Sequence, residues 1–316
     1  MSRLLLWLSM IGLLGLHLTL PFDIFEAVDD ETAQLILIEL RAPRTLLALS
    51  YGAALGVTGA ALQAVFANPL ASPDITGAAS GGALGAVGTA HFIGLATPLA
   101  MAIGGAAGAG LALIALFAIA GRGADPARLL LAGLAIALAA GAATSLLLAL
   151  APSPYAFYDQ WRWLMGSFVD RSWPQAIAAA LPATVACLAI WHWRRAYDLL
   201  ALGEDVAASL GISPRALAQR TILLSAVAVG ACVAMAGAIG FVGLIAPIAA
   251  RALVKGQPGR AIGLSALIGA SVMLAADLLV RFGPDGRTIP VGVITAIIGT
   301  PLFIVLLLSL KSRRAA

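Results

Sequence analysis

Apolar runs of the length a bilayer demands recur along nearly the whole chain, and no other feature restricts its fold so strongly. Crossing a hydrocarbon core takes about 20 apolar residues in helical form. Ten such runs lie at about 4–20, 45–66, 75–96, 98–120, 128–151, 174–193, 218–238, 239–255, 261–282 and 289–310, and the short run 239–255 is the weakest member of the set. Of the 316 residues, 61% are hydrophobic and 11% charged, against about 25% charged in an average soluble domain. The expected fold is therefore all-α, a single polytopic membrane domain over 1–316 with about ten transmembrane helices. Arg3 ahead of the first run also suits a secretory signal peptide, but no small-x-small cleavage site follows and the next segment is acidic, so a retained helix is expected.

The placement of charge orients the helices. An even count puts both termini on one face, and alternating the loops gives that face thirteen Lys and Arg, among them Arg122, Arg128, Arg194, Arg195, Arg215, Arg251 and Arg260. The other face receives Arg41, Arg44, Arg162, Arg171, Arg281 and Arg287 together with nine acids. The positive-inside tendency makes the first face cytoplasmic and both termini with it. Small residues four apart (Gly52 and Gly56; Gly77, Gly81 and Gly85; Gly104 and Gly108) place glycines on single helix faces, where backbones approach closely.

Several segments depart from plain membrane helix. NPLASPDITG at 68–77 joins two spans; Pro69 and Pro73 stop one helix, while Ser72 or Asp74 is placed to accept the free N–H groups of the next. The stretch 194–220 is too polar to span yet keeps Leu199, Leu202, Val206 and Leu210 at helical spacing, and Gly211 with Ser213-Pro214 reads as a helix end followed by a capped start. Two short helices there would form a docking surface; the same pattern suits an amphipathic loop against headgroups. RAPR at 41–44 puts two arginines on the outer face, with Pro43 marking the start of a span, and they fit either an acidic partner or the nearby acids. Asp277, an ionisable group at membrane depth, is a functional candidate by default, and Arg281 one turn on is placed to pair with it. His17, His91 and His192 are scattered near span ends and make no metal constellation, and Cys187 and Cys232 read as packing residues. No GxxxxGK[ST], HExxH or GxSxG occurs, so neither ATP hydrolysis by a phosphate loop nor protease or esterase chemistry is expected.

Taken in order, RAPR at 41–44, NPLASPDITG at 68–77, LLLAG at 129–133, WLMGSF at 163–168, DLLALGEDVAASLGIS at 198–213, AGAIGFVGLIAP at 236–247, ADLLVR at 276–281 and IPVGVITAIIGTPLF at 289–303 resemble the FecCD-type permeases of ATP-binding-cassette importers for iron-siderophores, haem and vitamin B12. The resemblance implies a type II importer permease in the inner, plasma membrane. It would pair with a second permease subunit, identical or related, above two ATPase subunits that use ATP and Mg, with a periplasmic or lipid-anchored binding protein outside. It implies no catalytic residue, metal, cofactor or nucleic acid on this chain. Arg41, Arg44 and Arg281 match outer arginines that meet acidic residues of the binding protein. Leu202, Gly203, Glu204, Ala208, Gly211, Pro214 and Arg215 match a loop, about 194–217, that couples to the ATPase. Gly123, Ala124, Asp125 and Pro126 occupy the place of a cytoplasmic gate, and Asn68, Pro69, Leu70, Pro73, Asp74 and Asp277 belong to structural motifs. Ile248 after Pro247, and Gln257-Pro258, depart from the histidine and Asp-His common in the family. An iron chelate, ferric siderophore or ferric citrate, ranks first as cargo, with haem and cobalamin next. A secondary transporter or channel, or a non-transporting assembly factor, is the alternative of a different class.

Overall fold

A computed structural model describes residues 2–21, 28–93, 97–121, 124–283 and 289–314, and among these residues it contains helices and no strand. Helix α1 covers Ser2–Thr19; α2, Asp30–Leu35, runs through a π-helical segment, Ile36–Arg41, into α3, Ala42–Val65. Then follow α4 (Ala78–Ile93), α5 (Pro98–Ala120), α6 (Pro126–Ala149), α7 (Pro154–Leu164), α8 (Trp173–His192), α9 (Arg194–Leu200), α10 (Glu204–Ser209), α11 (Pro214–Ala236), α12 (Val242–Leu253), α13 (Pro258–Arg281) and α14 (Val291–Arg314). Four starts share one device: the side chains of Thr97, Asp125, Ser153 and Ser213 each accept a backbone N–H inside the first turn, and a proline opens the helix directly after. Proline there sacrifices no hydrogen bond, because the first N–H groups of a helix have no carbonyl to meet.

The ten expected spans correspond to α1, α3–α6, α8 and α11–α14. Pro43 does not start its span, however. The helix begins at Asp30, where Asp29 caps it by accepting from Thr32 N–H at 3.3 Å, and the π turns ahead of Pro43 carry it through. Helix α12 has 12 residues, about 18 Å at 1.5 Å per residue, and is entered through the non-helical residues 237–241. Placement of its neighbours shows that this short element completes a crossing. The start of α13 lies against α9, which follows directly on α8, with Gly259 N–H donating to Asp198 at 2.8 Å. At the other end Arg281 donates to the carbonyls of His17 and Leu20, where α1 finishes. From the end of α8 to the start of α13 the chain leaves one face and returns to it, so α11 and α12 each cross.

Helix α3 is the axis of the subunit, packed by α8, α11, α12 and α13, while α4, α5 and α6 form a second group that α11 joins to the first. Tyr51, Leu47, Leu55 and Leu62 on α3 are fully buried. Glycine faces set the closest approaches. Gly52 lies on Gly269 and Gly56 on Ser265 between α3 and α13, while Gly85 lies on Gly104 and Gly81 on Gly108 between α4 and α5; any Cβ there would run into facing backbone. Without a hydrophobic drive from lipid, such contact is what dispersion and backbone dipoles can stabilise. Gly77 departs from its expected stripe: it stands before α4, in left-handed conformation (φ 76°), and faces Gly133 and Ile136 of α6.

Candidate functional site

Three constellations stand out, one at the end of the bundle where α1 finishes, one inside the bundle and one on the opposite face. In the first of these Asp277, 1% exposed, receives a two-pronged bond from Arg44, Nε to Oδ2 at 2.7 Å and an Nη to Oδ1 at 2.9 Å. His17 bridges Asp277 at 2.9 Å and Thr45 at 2.8 Å. Arg281, the partner that spacing alone suggests, stands at 3.5 Å and uses its guanidinium on the end of α1. Arg41 does the same through the carbonyls of Leu18 at 3.0 Å and Pro21 at 3.1 Å. The main partner of Asp277 is thus 233 positions away, because the fork of Arg44 matches a carboxylate in both position and plane.

These arginines also border an open cavity of about 320 Å³ with Arg171, Asp170, Leu40 and Pro21. Four guanidinium groups face one carboxylate among its described lining residues, so the cavity is strongly cationic. Burial pulls the Arg171 guanidinium below its ordinary value, and the neighbouring Asp170 opposes that shift. Neither His17 nor Arg171 was singled out by sequence; no periodicity marks a residue whose partners lie on other helices.

Inside the bundle, three of the quoted motifs meet. Helix α11 stops at Gly237 (φ 79°), where a Cβ would collide with the Trp163 carbonyl and the Gly166 backbone. Ser167 N–H donates to Ala236 O at 2.8 Å and Val291 N–H to Gly166 O at 3.0 Å. Tyr51 pins the unwound strand from α3: its hydroxyl donates to Gly237 O at 3.0 Å and accepts from Ile239 N–H at 3.2 Å. Unwound backbone at membrane depth has to find partners within the protein, and this hydroxyl serves one donor and one acceptor at once. Phe241 ends the segment at φ 68°, an uncommon conformation for a bulky residue, against Gly299 of α14. Tyr51→Phe is expected to lower stability by about 1–3 kcal/mol for each buried backbone group left unpaired, read as a drop in the unfolding temperature in detergent; an unchanged temperature would refute the pin.

The segment 68–77 also departs from a surface turn. Asn68 closes it by accepting from Leu70 N–H at 2.9 Å, and Pro73 folds inward against Gly243 at the level of Leu55 and Gly59, about two turns inside the end of α3. Neither Ser72 nor Asp74 caps α4: Ser72 Oγ donates to Asp74 at 3.4 Å instead, while Gly77 N–H closes the 3-10 turn on Asp74 O. Pro69, next to Asn68, is half-buried, and Leu70 is exposed.

On the opposite face α9 and α10 are the two short helices expected. Tyr197, buried, bonds Thr221 of α11 at 2.8 Å, and Leu200 and Ala207 anchor the pair, while Leu202, Val206 and Leu210 project outward at 64%, 43% and 57% exposure. Glu204 and Ala208 are exposed beside them, Gly203 (φ 115°) joins the helices, and Pro214 and Arg215 open α11. Of the loop 123–126, Gly123 lies outside the described residues; Ala124 is buried, Asp125 accepts from Arg128 N–H at 2.8 Å and Pro126 starts α6. Gln257 makes no cap for α13, a task performed by Asp198. No group of three His, Cys, Asp or Glu among the described residues is placed to hold a metal ion.

Known proteins share this arrangement. The FecCD transport family matches residues 3–309. The cobalamin import system permease BtuC of Halobacterium salinarum is 38% identical over 289 residues, 88% of this chain and 74% of that protein. The Fe(3+) dicitrate transport system permease FecD of Escherichia coli is 36% identical over 281 residues, 87% and 86% of the two. A solved metal-chelate type ABC transporter in an inward-facing conformation superposes with a TM-score of 0.86 at 29% identity, covering 98% of this chain and all of that one.

Proposed function

This chain belongs to the FecCD transport family and is a permease subunit of an ATP-binding-cassette importer, and from that premise we propose that it carries an iron chelate, a ferric siderophore or ferric citrate, across the inner membrane. The observation that carries the choice is the wording of NPLASPDI and DLLALG, joined by the 36% identity to the ferric dicitrate permease along 86% of that protein. The cobalamin permease, 38% identical, supports the second reading; a metal held in a large polar chelate is what the two cargoes share. The cargo meets walls rich in Gly and Ala, and weak contacts of that kind let a large solute pass without being trapped. A secondary transporter is disfavoured because the carboxylate it would use for ion coupling, Asp277, is fully engaged by Arg44 and His17.

In the proposed cycle a loaded binding protein inserts acidic side chains at the outer arginines, Arg41, Arg44 and Arg281, around the 320 Å³ cavity. ATP closes the partner ATPases, and the exposed face of α9 and α10, with Leu202, Gly203, Glu204, Ala208 and Gly211, transmits the motion to α11 through Pro214 and Arg215. The segment 123–126 closes the pathway on that side. The chain does mechanical work within a single domain.

Two measurements test this. Cells lacking their own uptake systems and expressing this chain with its partner subunits are expected to accumulate ferric citrate or a ferric siderophore; uptake of cobalamin alone would move the assignment. Arg171→Glu reverses a charge in the cavity while sparing the Asp277 bonds, and is expected to weaken binding-protein affinity at least tenfold at low salt and less at high salt. Unaltered affinity would remove the cavity from the docking site.

A further inference from the structure

The face that carries α9 and α10 holds a second concave site, away from the projecting Leu202, Val206 and Leu210. A groove of about 540 Å³ opens between α1, the end of α8, α9 and the start of α13. Arg194, Arg195 and Arg260 stand around its mouth, Trp7 and Trp191 flank it, and Leu264 and Leu267 form a buried floor. Asp198 is the only carboxylate among its described lining residues, and it is already turned to the N–H of Gly259. Among the described residues none of the three arginines makes a salt bridge. The Arg194 guanidinium lies 4.2 Å above the Trp191 ring, so a cation and an indole are held together at the entrance. Gly263 keeps the groove open: its Cβ position is 3.7 Å from Trp191 Nε1, and any longer side chain would grow into the space.

We propose that this groove binds one anionic phospholipid, its phosphate on Arg194, Arg195 and Arg260 and an acyl chain along Trp7, Leu264 and Leu267. Three guanidinium groups without protein counter-charges suit phosphate oxygens, which they bond in forked pairs. The site sits where the apolar spans end, the level at which indoles settle and at which basic pockets between helices collect anionic headgroups. The floor decides for a lipid over an acidic segment of a partner protein. It is apolar and continuous with the exposed surface of α1, where Trp7 and Leu8 are 55% and 56% exposed, so an acyl chain covers what a carboxylate side chain would leave bare. This inference is independent of the cargo.

The test is native mass spectrometry of the purified full-length transporter, stripped of lipid and titrated with phosphatidylglycerol or phosphatidylcholine of the same chains. One phosphatidylglycerol per copy of this chain, preferred at least tenfold, is expected. Both the triple variant Arg194→Gln, Arg195→Gln, Arg260→Gln and the charge-neutral Gly263→Leu are expected to erase that preference. The Gly263→Leu variant keeps the reading open if the triple variant folds poorly. No preference, or a preference that survives both variants, would overturn the site. Loss of the co-purifying ATPase with lipid preference intact would overturn it in favour of a protein partner.

Discussion

Asp277→Ala is expected to lower the unfolding temperature and the yield of folded protein sharply. The carboxylate is the shared acceptor for Arg44 and His17 and the nearest counter-charge of Arg281. Removing it strands His17 where water cannot reach it and takes the counter-charge from the largely buried Arg44 and Arg281, and breaking a buried pair from one side costs about 3–5 kcal/mol, a large share of what holds a protein together. The loss also spreads, because Arg281 and Arg41 cap α1 from the same cluster. Asp277→Asn keeps the shape and is expected to recover part of the yield. Arg44→Ala with Asp277→Ala is expected to cost less than the two single changes summed, by the 0.5–3 kcal/mol or so typical of coupled neighbours. Unfolding temperature and yield in detergent measure all of these; strict additivity would show that the two side chains do not act as a pair.

The second large effect is expected at the proposed coupling loop. Helix α10 closes with Gly211 N–H on Ala208 O at 3.0 Å and Ile212 N–H on Ala207 O at 2.9 Å, with Gly211 left-handed at φ 84°. That double closure is the Schellman arrangement, which wants glycine after the cap. A β-branched residue there meets a steric cost of roughly 1–2 kcal/mol or more, and the strain is relieved by turning α10 and its outward leucines. Gly211→Val is therefore expected to reduce uptake about tenfold or more, since 1.4 kcal/mol lost from a docking step is a factor of ten. The bundle should stay intact, because nothing lies within 4 Å of a Cβ at this position. Glu204→Ala, at the start of the same helix, is expected to show a weaker version. The readout is ATP hydrolysis by the assembled transporter with and without loaded binding protein; normal stimulation in Gly211→Val would take α10 out of the coupling path.

How much of this is visible in the chain itself differs by element. The ten spans, the two short helices of 194–210 and the capped start at Pro214 follow from residues that are neighbours in sequence. Run length, helical spacing and a capping side chain are all local quantities. The glycine stripes were equally legible, although Gly77 belongs to a turn, since spacing alone does not show where a helix begins. The short run 239–255 looked weak because part of its crossing is not helical, and only its neighbours reveal that it completes one.

The sequence by itself determined that this protein lies in a membrane, as a bundle of about ten helices with one polar interruption folded into two short helices, and the ordered motifs carried its family. The tertiary structure decided who partners whom. Arg44 and not Arg281 holds Asp277, His17 joins them from α1, and Tyr51 pins residues 237–239 from a separation of 186 positions. Such bonds are chosen by which side chains packing brings within 3 Å of one another in a medium that offers no water as an alternative partner, and that choice is made across helices, where no local pattern records it.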